Sequence, residues 1–171
     1  MKLDQFEITH CTCDKCVSYC KKRPGWFRPS EILPLAESLK MPLLEVFKKY
    51  LIADFWVGKS SIYILSPIKD FGKMKSGPEV EMLYTIMEHN KFMHRDCDRA
   101  GTYASWGYAF IHAPCIFLKG SKCSIYEARP FECKVTWHKK GEWERSAKNI
   151  RELIVKEWKK SRLINELIDE L

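Results

Sequence analysis

The chain has 171 residues, 46% of them hydrophobic and 13% aromatic, which is material for one well-buried core and too little for two generous ones. Its formal charge of +7 invites an anionic partner such as nucleic acid or a membrane surface, but the basic residues are spread along the chain and interleaved with acids, the pattern of a solvated surface. The start, MKLDQFEITH, lacks an apolar run of signal-peptide length and no later stretch approaches a membrane-spanning helix, so a cytoplasmic protein that neither spans nor anchors to a membrane is expected.

The first element in chain order is CTCDKCVSYC, four cysteines with the spacing C-x-C-x2-C-x3-C formed by Cys11, Cys13, Cys16 and Cys20. Cytosolic thiols are kept reduced, so eight cysteines point to metal ligation or catalysis rather than to a disulfide framework. A hyperthermophilic origin, compatible with the 30% of charged residues, is the one circumstance that would restore disulfides. Four thiols within ten residues can converge on one ion or cluster without long loops to order. Lys21, Lys22 and Arg23 follow directly and would offset the negative charge of a thiolate-bound metal.

KKRPGWFRPSE is a turn-rich connector marked by Pro24-Gly25 and Pro29. A helix is expected from about Ser30, its proposed cap, with Ile32, Leu35, Ala36 and Leu39 on the buried face and Pro34 in the first turn. A second should follow with Pro42 at its first helical position and Leu43, Phe47, Tyr50 and Leu51 as its stripe. SSIYILSPI, residues 60–68, reads as a strand. Between 69 and 113 the pattern is weak, with a helix expected near Pro78 in PEVEMLYTIMEH. From Trp143 to Leu171 the spacing of Trp143, Ala147, Ile150, Ile154 and Trp158 predicts one long helix or two joined ones.

A second cysteine set lies in CIFLKGSKCSIYEARPFECK, with Cys115, Cys123 and Cys133. CIFL and CSIY are expected to form a hairpin. A regular four-residue loop at 119–122 would pair Leu118 with Cys123 and leave Cys115 and Cys123 on opposite faces. If both bind metal, the hairpin should be irregular. Pro130 would start a helical turn whose N–H groups point at the Cys133 thiolate, and Arg129 either supports that charge or lies on the surface. Cys97, beside Asp96 and Asp98, reads as a lone thiol because nearby carboxylates disfavour its thiolate. His10 and His112 are candidates to complete a mixed cysteine and histidine site.

The run CTCDKCVSYCKKRPGWFRPSEI, followed by helices and then by CIFL, CSIYEARP and CK, resembles the YkgJ-type cysteine-cluster family. The resemblance covers roughly the first 55 residues and 115–135, and implies a zinc- or iron-chelating domain. The more usual family cluster is C-x2-C-x2-C-C. Here Tyr19-Cys20 stands in place of the paired cysteines and an extra C-x-C precedes. Residue by residue, Cys13, Cys16, Cys20, Cys115, Cys123 and Cys133 match best, Cys11 belongs by spacing, and Cys97 has no counterpart.

The expected architecture is α+β: a mostly helical single domain over 1–171 with a short β-hairpin and loops organised around a cysteine-ligated metal centre. Its parts are the quartet and helices over 1–55, the cysteine hairpin over 115–135 and the C-terminal helix over 143–171. Irregular all-sulfur spacing favours an iron-sulfur cluster, of the 4Fe-4S kind, with a redox or cluster-dependent role. The alternative is zinc, stapling the two segments of a binding module that meets RNA or a protein partner through Lys21–Arg23, Trp26 and Phe27. Both one shared site and a separate site in each segment satisfy the spacing. Radical adenosylmethionine chemistry is excluded because it needs C-x3-C-x2-C on a large barrel, whereas the order from Cys13 to Cys20 is x2 then x3.

Overall fold

The computed structural model describes residues 3–8, 13–56, 62–73, 99–104, 108, 112–135 and 143–171. These include six helices, α1 (Asp14–Cys20), α2 (Ile32–Leu39), α3 (Leu43–Tyr50), α4 (Phe131–Val135), α5 (Trp143–Trp158) and α6 (Leu163–Asp169), and two antiparallel two-stranded sheets, β1 (Leu51–Trp56) with β2 (Ile62–Pro67) and β3 (Leu118–Lys119) with β4 (Lys122–Cys123). The α+β expectation holds. Among the described residues no helix is long and apolar enough to cross a membrane.

The helix faces follow their sequence periods. In α2 the buried residues are Ile32, Leu35 and Ala36, and Pro34 sits within the first turn. The cap differs from the expectation: a short 3-10 turn over Pro29–Glu31 runs through Ser30, and Glu31 is the residue that precedes α2. Its carboxylate accepts the backbone N–H groups of Arg28 and Phe131, each at 2.9 Å, and the ammonium of Lys134 at 2.7 Å. One side chain therefore joins the start of α2 to the start of α4. Pro42 precedes α3 in extended backbone rather than occupying its first turn, and α3 buries Val46 and Phe47.

Leu51, expected to close the stripe of α3, instead opens β1. That strand pairs in register from Leu51↔Pro67 to Trp56↔Ile62, so the strand expected over residues 60–68 finds its partner in the segment just before it. The far edge of β1 is taken by Tyr103, bridged to Ala53, with Gly101 in left-handed backbone against Lys48. The region expected to form one long helix or two is two, α5 and α6. Ile150, Ile154 and Trp158 of α5 are buried, with Ile164 and Leu167 of α6 beside them in the same apolar cluster.

The PGWF turn is anchored to this core. Phe27, fully buried, donates its N–H to Leu65 of β2 and receives the indole N–H of Trp158 at 2.7 Å. Trp26, 4% exposed, donates its indole N–H to Asp54 at 2.9 Å and meets Trp56 edge to face. Burial raises the Asp54 carboxyl, against which the Trp26 hydrogen bond acts first. The expected helix near Pro78, together with His10, Cys11 and Cys97, lies outside the described residues.

Candidate metal centre

Cys13, Cys16 and Cys20 stand on α1 and at its start. Their spacing of three and four puts them along one side of the helix, and Cys13 occupies the residue just before the first turn. The end of α1 is fastened to a distant part of the chain: Cys115 donates its N–H to the Cys20 carbonyl at 2.8 Å, and Ala113 to that of Lys22, just beyond the helix, at 2.9 Å. Cys115 is bridged on its other side to Lys69, just beyond β2. The helix end and the second cysteine segment are thereby fixed edge to edge.

The hairpin has the expected register, Leu118↔Cys123 and Lys119↔Lys122, around Gly120-Ser121. Its irregularity lies on the approach to β3. Leu118 donates to the Cys115 carbonyl at 2.9 Å, so the chain turns between Cys115 and β3, and strand alternation does not reach back to Cys115. Both Cys115 and Cys123 can then face one side.

They do. Cys16, Cys20, Cys115, Cys123 and Cys133 line one cavity of about 370 Å³, with Val17, Leu118 and Ile125 among its apolar walls. Four of these thiols act on one another. Burial, aided by Cys20 and Cys123, pushes Cys115 up to about 12. Burial raises Cys133 well above the usual thiol range, with Cys20, Cys115 and Cys123 adding to it alongside Glu132. Cys20 is raised by burial and by Cys123, and Cys123 by burial. Every pair within the set Cys20, Cys115, Cys123 and Cys133 is thus electrostatically coupled. Among the described residues no group of three or more His, Cys, Asp or Glu side chains stands close enough together to hold a metal ion.

Arg129 belongs to the wall of this cavity and not to the surface, with 6% exposure. It donates to the Tyr126 carbonyl at 2.6 Å and its guanidinium lies 3.9 Å from the centre of the Tyr126 ring. Its charge opposes the rise at Cys20 and Cys123. The N–H groups expected at the Cys133 thiolate are otherwise engaged: Phe131 donates to Glu31, Glu132 to the Trp26 carbonyl, and Cys133 itself to Pro130. Cys133 is held instead by close packing on Gly25. A Cβ at Gly25 would stand 2.5 Å from its sulfur. Gly25→Ala should therefore cost about 1–3 kcal/mol through overpacking and reduce bound metal; unchanged thermal stability and metal content would show that the turn can step aside.

Glu132 has no sequence signal that marks it out. Only 5% exposed, it accepts from Arg151 at 2.6 Å, from the Trp26 backbone N–H at 3.0 Å and from Arg23 at 3.5 Å. Burial alone would raise its carboxyl, but Arg23 and Arg151 overcome that and hold it below the ordinary carboxylate range. Both guanidiniums also lie over the Trp26 ring, at 5.6 and 5.7 Å.

Of the seven expected ligands, then, five face the cavity. Cys13 has its sulfur 4.0 Å from that of Cys16 and is not among the lining residues; Cys11 is outside the described residues. His112 is exposed and likewise not among the lining residues.

Five cysteines, Cys16, Cys20, Cys115, Cys123 and Cys133, thus line one cavity with apolar walls. The model of the CxxCxxCC family, described as "Putative zinc- or iron-chelating domain", matches residues 12–151. That span covers most of the chain, and the chain belongs to this family. No curated protein and no solved structure matches it.

Proposed function

We propose that this chain is an iron-sulfur protein in which Cys20, Cys115, Cys123 and Cys133 hold a 4Fe-4S cluster. The observation that carries the reading is that these four cysteines, from two distant segments, line one cavity. Four cysteines are also the complement that such a cluster takes, and when bound it supplies one-electron redox chemistry.

The chain's own part is to shape and shield the site. Apolar side chains, Val17, Leu118 and Ile125 among them, wall part of the site, and the buried Arg129 offsets part of the thiolate charge. The Pro24-Gly25 turn and the hairpin close the cavity from two sides. The same reading treats residues 1–171 as one cytoplasmic domain, since Glu132 ties α4 to α5 and Arg28 ties the connector to Glu157 of α5 at 2.8 Å. Burial of Trp26 and Phe27 removes the aromatic platform that the RNA-binding alternative needed.

The test is to purify the protein without oxygen, record its visible spectrum, and assay iron, sulfide and zinc on one sample. Expected are equal amounts of iron and sulfide, with broad visible absorption that bleaches on reduction. A colourless protein with stoichiometric zinc would overturn the cluster and leave a zinc staple between the two cysteine segments.

A further inference from the structure

Two stretches of the chain hold no Asp or Glu although the sequence has 22 of them: residues 15–30, with most of α1 and the PGWF turn, and residues 99–126, with the β3–β4 hairpin. The fold brings the two together at the cavity. The N–H groups of Ala113 and Cys115 reach the carbonyls of Lys22 and Cys20. Tyr19, Ser121 and Lys122 all line the cavity and all are exposed, so they stand at its mouth. Lys21, Lys22, Lys119 and Lys122 are exposed, and among the described residues none of the four makes an ion pair, whereas Arg23 and Arg151 share Glu132 and Lys134 takes Glu31. Glu132, the carboxylate among the lining residues, is thus already held between two arginines and does not neutralise the rim. Ammonium groups gathered at one opening repel one another, and solubility is served as well by dispersed charge. Tyr19, 41% exposed, adds an aromatic ring to the same rim.

We propose that this lysine collar docks an acidic one-electron carrier protein, which passes its electron to the centre behind it. The proposal rests on the iron-sulfur reading above and adds its partner. Complementary charge acts over about 8 Å at physiological salt and raises the rate of encounter by about 10–10³. Electron-carrier contacts are small and transient, which fits a rim built from one helix end and one hairpin tip. A protein suits this rim better than a nucleic acid does. Its exposed cations are lysines, hydrated point charges without the planar fork with which arginine grips phosphate, and Trp26 and Phe27 are buried, so they offer bases no stacking surface. The carrier loses one electron and the centre gains it, and no bond or proton moves.

The experiment uses the full chain, loaded and kept from oxygen, with iron and sulfide assayed before any carrier is added. Reduced flavodoxin, an acidic flavin protein, is mixed with it by stopped flow and the bleaching of the visible band is followed at low and at high salt. Binding of oxidised flavodoxin is measured by calorimetry on the same samples. The rate should fall about tenfold or more from low to high salt, with binding weakening in parallel. Lys21→Glu/Lys119→Glu reverses two collar charges that are not among the lining residues; it should lose about tenfold in rate at low salt and keep the iron, the sulfide and the full reduction by dithionite of the parent. Lys159→Glu/Lys160→Glu, the same change of charge at exposed residues just beyond α5, should keep the rate of the parent. Equal losses in the two variants, a rate indifferent to salt, or loss of iron and sulfide from the collar variant would overturn the proposal. Collar-dependent binding of poly-uridine RNA without binding of flavodoxin would overturn it too, since the partner would then be a nucleic acid. Failure of the iron-sulfur reading has a different sign: a chain without iron and sulfide at the outset, which leaves the electron no acceptor.

Discussion

Cys20→Ser should lose at least nine-tenths of its bound metal and unfold at a much lower temperature than the loaded parent. Cys20 contributes the sulfur that couples to all three others, and its backbone carbonyl already holds Cys115 in place. The substitution leaves that hydrogen bond intact and exchanges a soft thiolate for a hydroxyl, so it isolates the sulfur's role. Because metal binding is coupled to folding, removal of one of four ligands shifts the folding equilibrium of the loaded protein. The control is built into the same measurement. Metal-depleted parent and variant should melt together, because only the loaded forms differ, and His112→Ala should keep its metal. If Cys20→Ser retains full metal content, the four-sulfur assignment fails.

Several parts of this arrangement were legible in the sequence for physical reasons. Thiols cannot be clustered along a reduced chain by packing needs alone, so their spacing announced a donor set. The buried stripes of α2 and α5 carry their own period, and the short β-branched and aromatic run of β2 reads as a strand. Other parts were hidden because one residue type served two purposes. Cys13, Cys16 and Cys20 were read as ligands, yet their spacing of three and four is also a helix face, and that was the available sign of α1. LIADFW is apolar without clear alternation and directly follows a helical stripe, so nothing local separated β1 from α3. Cys115 and Cys123 could share a face only through an irregularity, which sequence parity required without saying where. It lies in the turn before β3.

Glu132 is the residue that no local reading could find, since its partners Arg23 and Arg151 are 109 and 19 residues away. Glu132→Ala is expected to destabilise the protein by about 3 kcal/mol, the lower end for breaking a buried ion pair, because both arginines keep some contact with water. The loss has three parts with one origin. Two guanidiniums placed over Trp26 lose the charge that holds them there, the Trp26 N–H loses its acceptor, and the start of α4, which carries Cys133, loses its tie to α5. Against a total stability of about 5–15 kcal/mol this is a large fraction. Urea denaturation should show a lower midpoint with an unchanged slope. Glu132→Gln keeps an acceptor for Trp26 and should recover part of the loss, and a double-mutant cycle with Arg151→Ala separates the ion pair from the rest. A midpoint for Glu132→Ala equal to that of the parent would mean that the two arginines are satisfied by Trp26 and solvent. The clamp would then be an arrangement of convenience, and the position of Cys133 would rest on Gly25 and Glu31 alone.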